Sequence, residues 1–244
     1  MDEKDRTLVL TGASRGIGHA TVRCFNDAGW RILTCSRQVF DKRCPWPGGK
    51  ENHIEADFSD PKSTARAIDE IKDKIDGRLN ALVNNAGISP KSVNGQRLNT
   101  FETDLKIWHQ VFQVNFYTPM LLAKAFQNEL AAAKGAIVNI TSVAGSRVHP
   151  FAGTCYATSK AALATLTREM AYDFGTLGVR VNAIAPGEVE TEMLSKGTDQ
   201  IIAGLPLGRI GQPSEVADAI LFLCSPNSSY ITGTEISING GQLV

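Results

Sequence analysis

The stretch that decides the fold is Thr7-Leu-Val-Leu-Thr-Gly-Ala-Ser-Arg-Gly-Ile-Gly18. Its first five residues are apolar or β-branched, which predicts a buried strand, and a helix is predicted to follow the glycines. Gly12 allows a tight turn, Gly16 lets the backbone approach a pyrophosphate, and Gly18 lets the helix pack against the strand. The helix N-terminus also attracts phosphate charge. The stretch therefore favours dinucleotide binding over its alternative, an ordinary strand-to-helix turn.

Short apolar runs alternate with helical patterns along the rest of the chain, which predicts strand-helix-strand units around a parallel sheet. Because no repeat or Pro/Ser-rich linker interrupts the alternation, residues 1–244 are predicted to form a single dinucleotide-binding and catalytic domain. The predicted fold class is α/β, a single-domain Rossmann-type, doubly wound, seven-stranded parallel sheet with helices on both faces. The predicted strands are residues 7–11, 31–35, 53–57, 79–84, 136–141, 179–184 and 234–238. The predicted helices are residues 17–28, one that Asp60 caps and Pro61 opens, 101–130, interrupted or bent near Pro119, 156–177 and 213–224.

Composition excludes several classes of protein. Hydrophobic residues make up 43% of the 244 residues, and the 25 Lys and Arg balance the 25 Asp and Glu. With no net charge, there is no electrostatic reason for a nucleic-acid or anionic-membrane partner. The longest apolar run, Ala219 to Cys224, is far shorter than the roughly 20 residues that cross a bilayer. Since the N-terminus has no apolar signal core and the five cysteines have no metal-ligand spacing, we expect a cytoplasmic protein without metal.

Two further motifs carry polar side chains to the predicted sheet edge. Asn84-Asn-Ala-Gly87 ends the fourth predicted strand, beside the topological switch point where such sheets bind ligands. Tyr156-Ala-Thr-Ser-Lys160 places a phenol and an ammonium one helical turn apart on the same face. Taken alone, the first is compatible with a simple turn and the second with a surface pair, so their meaning depends on the rest of the pattern.

The complete pattern resembles the short-chain dehydrogenase/reductase family. Thr-Gly-x-x-x-Gly-x-Gly at residues 11–18, Asn-Asn-Ala-Gly at 84–87 and Tyr-x-x-x-Lys at 156–160 occur in order, with Asn115 and Ser142 between them and Pro186-Gly187 and Thr191 after them. The likeness extends from residue 7 to residue 241. The tail, residues 208–213 and 231–241, is most similar to the 3-oxoacyl carrier-protein reductase branch.

This resemblance implies a catalytic set of Asn115, Ser142, Tyr156 and Lys160. Tyr156 would protonate the carbonyl oxygen in reduction and act as base in the reverse direction. A cation such as Lys160 about 4 Å away is worth up to ~4 kcal/mol at an effective dielectric near 20, and would lower the Tyr156 pKa from its ordinary ~10. Ser142 would donate a hydrogen bond to the substrate oxygen, and Asn115 would hold a water that connects Lys160 to solvent.

The end of the second predicted strand bears on the choice of cofactor. Ser36-Arg37 stands where NAD-binding members have an acidic residue, and with Ser14 and Arg15 it favours NADP(H), because guanidinium groups bind a phosphate dianion well. NAD(H) is the alternative, because Cys44-Pro-Trp-Pro-Gly-Gly49 predicts an irregular loop that can turn Arg37 away. Asp57-Phe58 would contact the adenine, and Val189 and Thr191 the carboxamide. The full set of predicted cofactor contacts is Gly12, Ser14, Arg15, Gly16, Ile17, Gly18, Ser36, Arg37, Asp57, Phe58, Asn84, Ala86, Gly87, Tyr156, Lys160, Pro186, Gly187, Val189 and Thr191.

The substrate side departs from the family pattern. Ser142 and Tyr156 are predicted substrate contacts, and Glu188 takes a place that is often apolar. Either Glu188 faces the substrate and favours a polar or hydroxylated one, or it is a solvated loop residue. The loop between Ser142 and Tyr156 is one residue longer than usual, and its His149 is expected at the surface.

Several readings of function stay open. The favoured one is an NADP(H)-dependent oxidoreductase that interconverts a carbonyl and a secondary alcohol on a 3-oxoacyl thioester, a sugar or polyol, a steroid-like ketone or a small aldehyde. The alternatives are an NAD(H)-dependent alcohol or sugar dehydrogenase and a cofactor-binding sensor or assembly protein without turnover. The resemblance also implies a homotetramer, or a homodimer, packed through the helices predicted at residues 101–130 and 156–177.

Overall fold

Seven parallel strands form one sheet in the order β3-β2-β1-β4-β5-β6-β7. The computed structural model describes residues 6–40, 48–194 and 197–244. The chain enters at the centre with β1 and builds one half of the sheet before it returns to β4, so the order reverses between these two strands. This arrangement confirms the predicted fold class. The strands are β1 (Thr7–Thr11), β2 (Arg31–Ser36), β3 (His53–Glu55), β4 (Ala81–Asn84), β5 (Ala136–Ile140), β6 (Arg180–Pro186) and β7 (Glu235–Ile238).

Helices cover both faces of the sheet, which explains why β1, β4 and β5 are buried along their whole length. Phe25 and Ile220 belong to the core on one face, and Leu122 and Phe126 to the core on the other. The helices are α1 (Gly16–Asp27), α2 (Pro61–Lys74), α3 (Leu105–Phe112), α4 (Thr118–Ala125), α5 (Gln127–Ala133), α6 (Thr154–Gly175), α7 (Asp199–Ile202) and α8 (Pro213–Cys224). None of these helices is long and apolar enough to span a bilayer.

The start of α2 follows the predicted capping pattern. The Asp60 side chain accepts hydrogen bonds from the backbone N–H groups of Lys62 and Ser63 at 3.0 and 3.2 Å. Pro61 stands at the first helical position, where its missing N–H costs nothing. The predicted Asp60-Pro61 helix start is therefore confirmed.

The helix predicted at residues 101–130, interrupted or bent near Pro119, forms as three helices, α3, α4 and α5. Its first turn does not form, because the Asp104 side chain accepts from Ile107 N at 3.0 Å and starts α3 at Leu105. A π-helical turn, Gln113–Tyr117, separates α3 from α4, and Phe126 leaves helical geometry between α4 and α5. Pro119 has no N–H to donate to the Asn115 carbonyl four residues earlier, so the interruption is at the predicted place but involves more of the chain.

Other differences are local. The predicted strands at residues 53–57 and 79–84 are each two residues shorter than expected, and the short helix α7 was not predicted. Its four residues are too few to give a helical period in the sequence. Most of the predicted irregular loop, residues 44–47, lies outside the described residues.

Candidate active site

A cleft of about 550 Å³ opens at the carboxyl ends of the strands, beside the β1/β4 switch point. The loops that follow β1, β2, β4, β5 and β6 line it, which is where ligands bind in sheets of this kind. Of the predicted site residues, Gly18, Asn84 and Asn115 do not line the cleft. Those that do are Gly12, Ser14, Arg15, Gly16, Ile17, Ser36, Arg37, Asp57, Phe58, Ala86, Gly87, Ser142, Tyr156, Lys160, Pro186, Gly187, Glu188, Val189 and Thr191.

The glycine-rich turn forms a cradle with the dimensions and charge that a pyrophosphate needs. Gly16 has a φ of +54°, and a Cβ there would lie 3.0 Å from the Thr191 methyl group. A Cβ on Gly18 would lie 2.1 Å from the Gly12 carbonyl oxygen, so only glycine permits α1 to start this close to the turn. No acidic residue occupies the first turn of α1, and no described side chain caps its N-terminus. The N-terminus of α1 is therefore left without a side-chain cap, as phosphate binding by its N–H groups and dipole requires.

Two neighbouring asparagines at the end of β4 have different partners. Asn85 donates from Nδ2 to the Thr11 and Gly12 carbonyls at 3.0 and 2.9 Å and lines the cleft. The Asn84 side chain faces the other way, because side chains alternate along a strand. It donates to Asn139 Oδ1 at 2.8 Å in the interior. The predicted cofactor contact at Asn84 is corrected accordingly, since Asn85 is the residue whose side chain reaches the cleft wall.

Tyr156 and Lys160 both lie on α6 and line the cleft. Lys160 is only 3% exposed, its Nζ donates to the Ile140 carbonyl at 2.6 Å, and burial lowers its pKa to about 8. Its Nζ lies 5.8 Å from the centre of the Tyr156 ring. Burial raises the pKa of Tyr156, a hydrogen bond with Ser142 opposes this, and the charge of Glu188 adds to it.

The structure therefore does not show the expected lowering of the Tyr156 pKa, because burial raises it. The expectation assumed a fully charged ammonium near the phenol oxygen. In the structure Lys160 is itself desolvated and is directed towards the β5 carbonyl of Ile140. Burial disfavours both the ammonium and the phenolate, so both groups tend towards their neutral forms.

Asn115 lies behind the cleft, completely buried in the π-helical turn. Its Oδ1 accepts from Ile88 N at 2.9 Å, and its Nδ2 donates to the Ile88 carbonyl and to Ser159 Oγ, each at 3.0 Å. The side chain thus joins the loop after β4 to α6. Its backbone carbonyl lacks the helical donor that residue 119 would supply if it were not proline.

The walls of the cleft near β2 and α1 carry the two predicted arginines. Arg37 lines the cleft, and the pKa of neighbouring Asp57 is lowered by hydrogen bonds from Ser59 and, to a smaller extent, by the Arg37 charge. Arg15 Nη1 lies 2.5 Å from Glu192 Oε2, although both side chains are more than 60% exposed. The glycine-rich turn is thereby tied to the segment after β6.

At the opposite end, His149 Nε2 lies 2.6 Å from Glu188 Oε1, with side chains 10% and 9% exposed. The expectation that His149 lies at the surface is wrong. The longer loop after β5 folds back, and the N–H groups of Phe151 and Ala152 donate to His149 Nδ1 at 3.2 and 3.3 Å. Lys91, which the sequence did not indicate, also lines this end and donates to the Phe151 carbonyl. No motif marks these three residues, since they come from separate loops.

The sequence of this chain is similar to those of known proteins. A family model described as Enoyl-(Acyl carrier protein) reductase matches residues 12–242. Protein FixR of Bradyrhizobium diazoefficiens is 55% identical over 240 residues, which cover 97% of this chain and 86% of FixR.

Solved structures of related proteins also match this chain along nearly its whole length. An oxidoreductase of the short-chain dehydrogenase/reductase family from Brucella ovis, in complex with a partially ordered NAD, is 57% identical with a TM-score of 0.83 and covers 96% of this chain and 99% of that one. A 3-oxoacyl-[acyl-carrier protein] reductase from Brucella melitensis with bound NAD is 33% identical with a TM-score of 0.87, and covers 98% and 91%. The family-model match over nearly the whole chain, together with these identities, shows that the chain belongs to the short-chain dehydrogenase/reductase family.

Proposed function

We propose that the protein is an oxidoreductase that interconverts a carbonyl compound and a secondary alcohol with a nicotinamide cofactor, and that its 244 residues act as one catalytic domain. The observation that carries the proposal is the continuity of the cleft. One end is the glycine cradle, and the wall beyond it presents Ser142, Tyr156 and Lys160 together. A dinucleotide bound in the cradle would extend towards these three side chains.

The cofactor, when bound, supplies the hydride. Gly12 and Gly16 would hold its pyrophosphate, Asp57 and Phe58 would lie against the adenine, and Val189 and Thr191 would hold the carboxamide. The cradle fits the group because a side chain at Gly16 or Gly18 would fill or distort the space the phosphates need. The protein's own contribution is to orient the two reactants and to exclude water.

The chemistry of the protein itself is a proton transfer. Tyr156 Oη donates its proton to the carbonyl oxygen, and Ser142 Oγ donates a hydrogen bond to the same oxygen as charge develops there. Lys160, whose pKa near 8 lets it exchange protons at neutral pH, returns a proton to Tyr156. A water on the Asn115 carbonyl would connect Lys160 to solvent.

NADP(H) is the cofactor we propose, because β2 ends in Ser36-Arg37 and Arg37 lines the cleft, where a carboxylate would repel a 2′-phosphate. NAD(H) is the second candidate. The Brucella ovis relative, 57% identical, was solved with a partially ordered NAD. In addition, Arg15 already has an anionic partner in Glu192.

We further propose a homotetramer. Trp108, Phe112 and Phe116 form an aromatic row along α3 and the π-helical turn, with ring centres 6.0 Å apart at each step. Leu105 on α3 and Tyr172 on α6 are largely exposed. These apolar groups lie on the helices from which the sequence predicted subunit contacts, and exposed aromatic residues are typical of interfaces.

Replacing the proposed acid tests the function directly. Tyr156→Phe is expected to lower kcat for carbonyl reduction by about 10²- to 10⁴-fold, because the proton donor is lost, while cofactor binding is retained. Tyr230→Phe, at a fully exposed tyrosine outside the cleft and outside the helices of the proposed interface, is the matched control and should keep wild-type turnover. A Tyr156→Phe enzyme with unchanged kcat would overturn the assignment. Failure of the wild type to oxidise bound NADPH with any carbonyl in a broad panel would favour a sensor without turnover.

A thermal-shift titration with NADPH, NADP⁺, NADH and NAD⁺ tests the cofactor proposal, because a ligand of the folded state raises its stability. We expect the larger shifts with the phosphorylated pair and expect Arg37→Glu to reverse the preference. Arg66→Glu, on the exposed side of α2, controls for the change in charge. Larger shifts with NADH and NAD⁺ in the wild type would reject NADP(H).

Lys160→Met is expected to make the cofactor-free protein more stable at pH 7 while removing turnover. The folded pKa of about 8 lies below the ~10.4 of an unfolded chain, so folding at pH 7 bears the cost of a buried ammonium. The free energy of unfolding should rise by about 1–2 kcal/mol once the cost of losing the hydrogen bond to Ile140 is subtracted. This gain should shrink as the pH rises from 8 to 10, because the Lys160 ammonium then loses its proton in the folded protein. Urea unfolding measures it, with exposed Lys72→Met as control. Lower stability of Lys160→Met at every pH would contradict this account.

Sedimentation equilibrium tests the assembly. A species of four times the 26.3 kDa chain is expected, and Phe112→Glu should dissociate it by placing charge in the aromatic row. Arg66→Glu on α2, a change of charge outside both helices of the proposed interface, is the control. A wild-type species of 26.3 kDa alone would reject any oligomer.

A further inference from the structure

Three charged or ionisable side chains meet at the substrate end of the cleft. Lys91 follows β4, His149 follows β5 and Glu188 follows β6, and all three line the cleft. Because neighbouring parallel strands end at the same edge of the sheet, these separate loops converge there. Burial lowers the pKa of Lys91, whereas the charge of Glu188 acts in the opposite direction. The cluster is therefore both desolvated and electrostatically coupled.

The hydrogen bonds of His149 define the position of its ring proton. Backbone N–H groups can only donate, so Nδ1 must accept from Phe151 and Ala152. The proton then stands on Nε2, which donates to Glu188 Oε1 at 2.6 Å. His149 thereby holds one oxygen of Glu188 in place through a loop that is itself fixed by two backbone contacts.

The other oxygen of Glu188, Oε2, is not the one bonded to His149. Within residues 6–40, 48–194 and 197–244, the side-chain hydrogen bond shown for Glu188 is the one to Oε1. The side chain lines the cleft, and its charge is felt by Tyr156, so it lies near the reacting end. An ionised carboxylate accepts hydrogen bonds and cannot donate them. A substrate that fills this end therefore has to bring a donor or leave a buried acceptor unpaired.

We propose that Glu188, positioned by His149, selects substrates that carry a hydroxyl group close to the reacting carbonyl, such as small hydroxyketones and polyol-derived ketoses. This inference rests on the proposed oxidoreductase function and assigns the substrate class of that same cleft. The hydroxyl donates to Glu188 Oε2 while the carbonyl oxygen takes its hydrogen bonds from Ser142 and Tyr156. Glu188 is then a specificity residue, and His149 is a positioning residue that acts through it.

The same geometry disfavours substrates that place a hydrocarbon chain against Glu188. A hydrocarbon chain against Glu188 would desolvate a carboxylate without giving it a partner, which is costly in a buried site. The substrate end therefore differs from what an acyl chain requires, although the tail of the sequence resembles the 3-oxoacyl carrier-protein reductase branch.

The test uses two ketones of nearly equal shape, hydroxyacetone and butanone, which differ by a hydroxyl in place of a methyl group. The measured quantity is the ratio of their kcat/KM values with the full-length protein and its preferred cofactor. For the wild type we expect a preference for hydroxyacetone of about ten- to a hundredfold, the range for a hydrogen bond to a charged group. Glu188→Gln should reduce this ratio and Glu188→Leu should abolish it. Glu190→Leu, an exposed glutamate two residues away, should leave it unchanged.

Two variants of His149 separate positioning from a purely structural role. Gln places an amide N–H near the position of Nε2, so His149→Gln should keep the preference for hydroxyacetone. His149→Leu removes the donor, and should raise the KM for hydroxyacetone more than the KM for butanone. Equal losses on both ketones in both variants would show that His149 only supports the loop. The cofactor-induced thermal shift confirms that each variant is folded.

The outcomes distinguish the two proposals. If the wild type reduces both ketones with equal kcat/KM, the inference fails while the oxidoreductase function stands. If it binds the reduced cofactor but reduces no carbonyl, the proposed function fails. In that case the fluorescence of bound NAD(P)H still reports binding of each ketone, and equal affinity for hydroxyacetone and butanone overturns the inference as well.

Discussion

A reciprocal set of hydrogen bonds between Thr11 and Asn85 fixes the glycine-rich turn against the loop that follows β4. Thr11 Oγ1 accepts from the backbone N–H groups of Asn85 and Ala86 at 3.1 and 3.0 Å, and Asn85 Nδ2 returns bonds to two carbonyls of the glycine-rich turn. These bonds join β1 to β4 where the strand order reverses. Because Gly18 allows α1 to approach the same turn, the phosphate cradle and the loop that leads to Asn115 are fixed relative to each other.

The wall of the cleft at α6 shows the opposite situation, because a buried ammonium group there lowers stability. Lys160 is buried with its Nζ bonded to one carbonyl of β5, and its pKa near 8 records the penalty for desolvating an ammonium. Tyr156, buried beside it, is held in the neutral form. A neutral phenol is the form that the proton donation we propose for Tyr156 requires. The hydrogen bonds between Thr11 and Asn85 stabilise the fold around the cleft, whereas the buried Lys160 lowers its stability.

Most of the fold followed from local signals in the sequence. The strands were visible as apolar runs, and Asp60-Pro61 marked a helix start, because strand burial and capping depend on residues close together in the chain. The break at Gln113–Tyr117 was only partly visible, since Pro119 indicated a bend but nothing indicated that Asp104 starts the helix later. The choice between Asn84 and Asn85 depends on strand alternation at one residue, which lies within the usual uncertainty of a strand end.

The substrate end was least predictable, for a physical reason. His149 and Glu188 lie 39 positions apart on loops without a period, and their contact exists only because β5 and β6 are neighbours in the sheet. Motifs identify the half of the cleft whose side chains are close together in the sequence, such as Tyr156 and Lys160 on α6. The half that faces the substrate is assembled from loop ends, so its chemistry can differ while those motifs stay intact. The substrate class that we propose therefore rests on the contact between His149 and Glu188, which no sequence motif encodes.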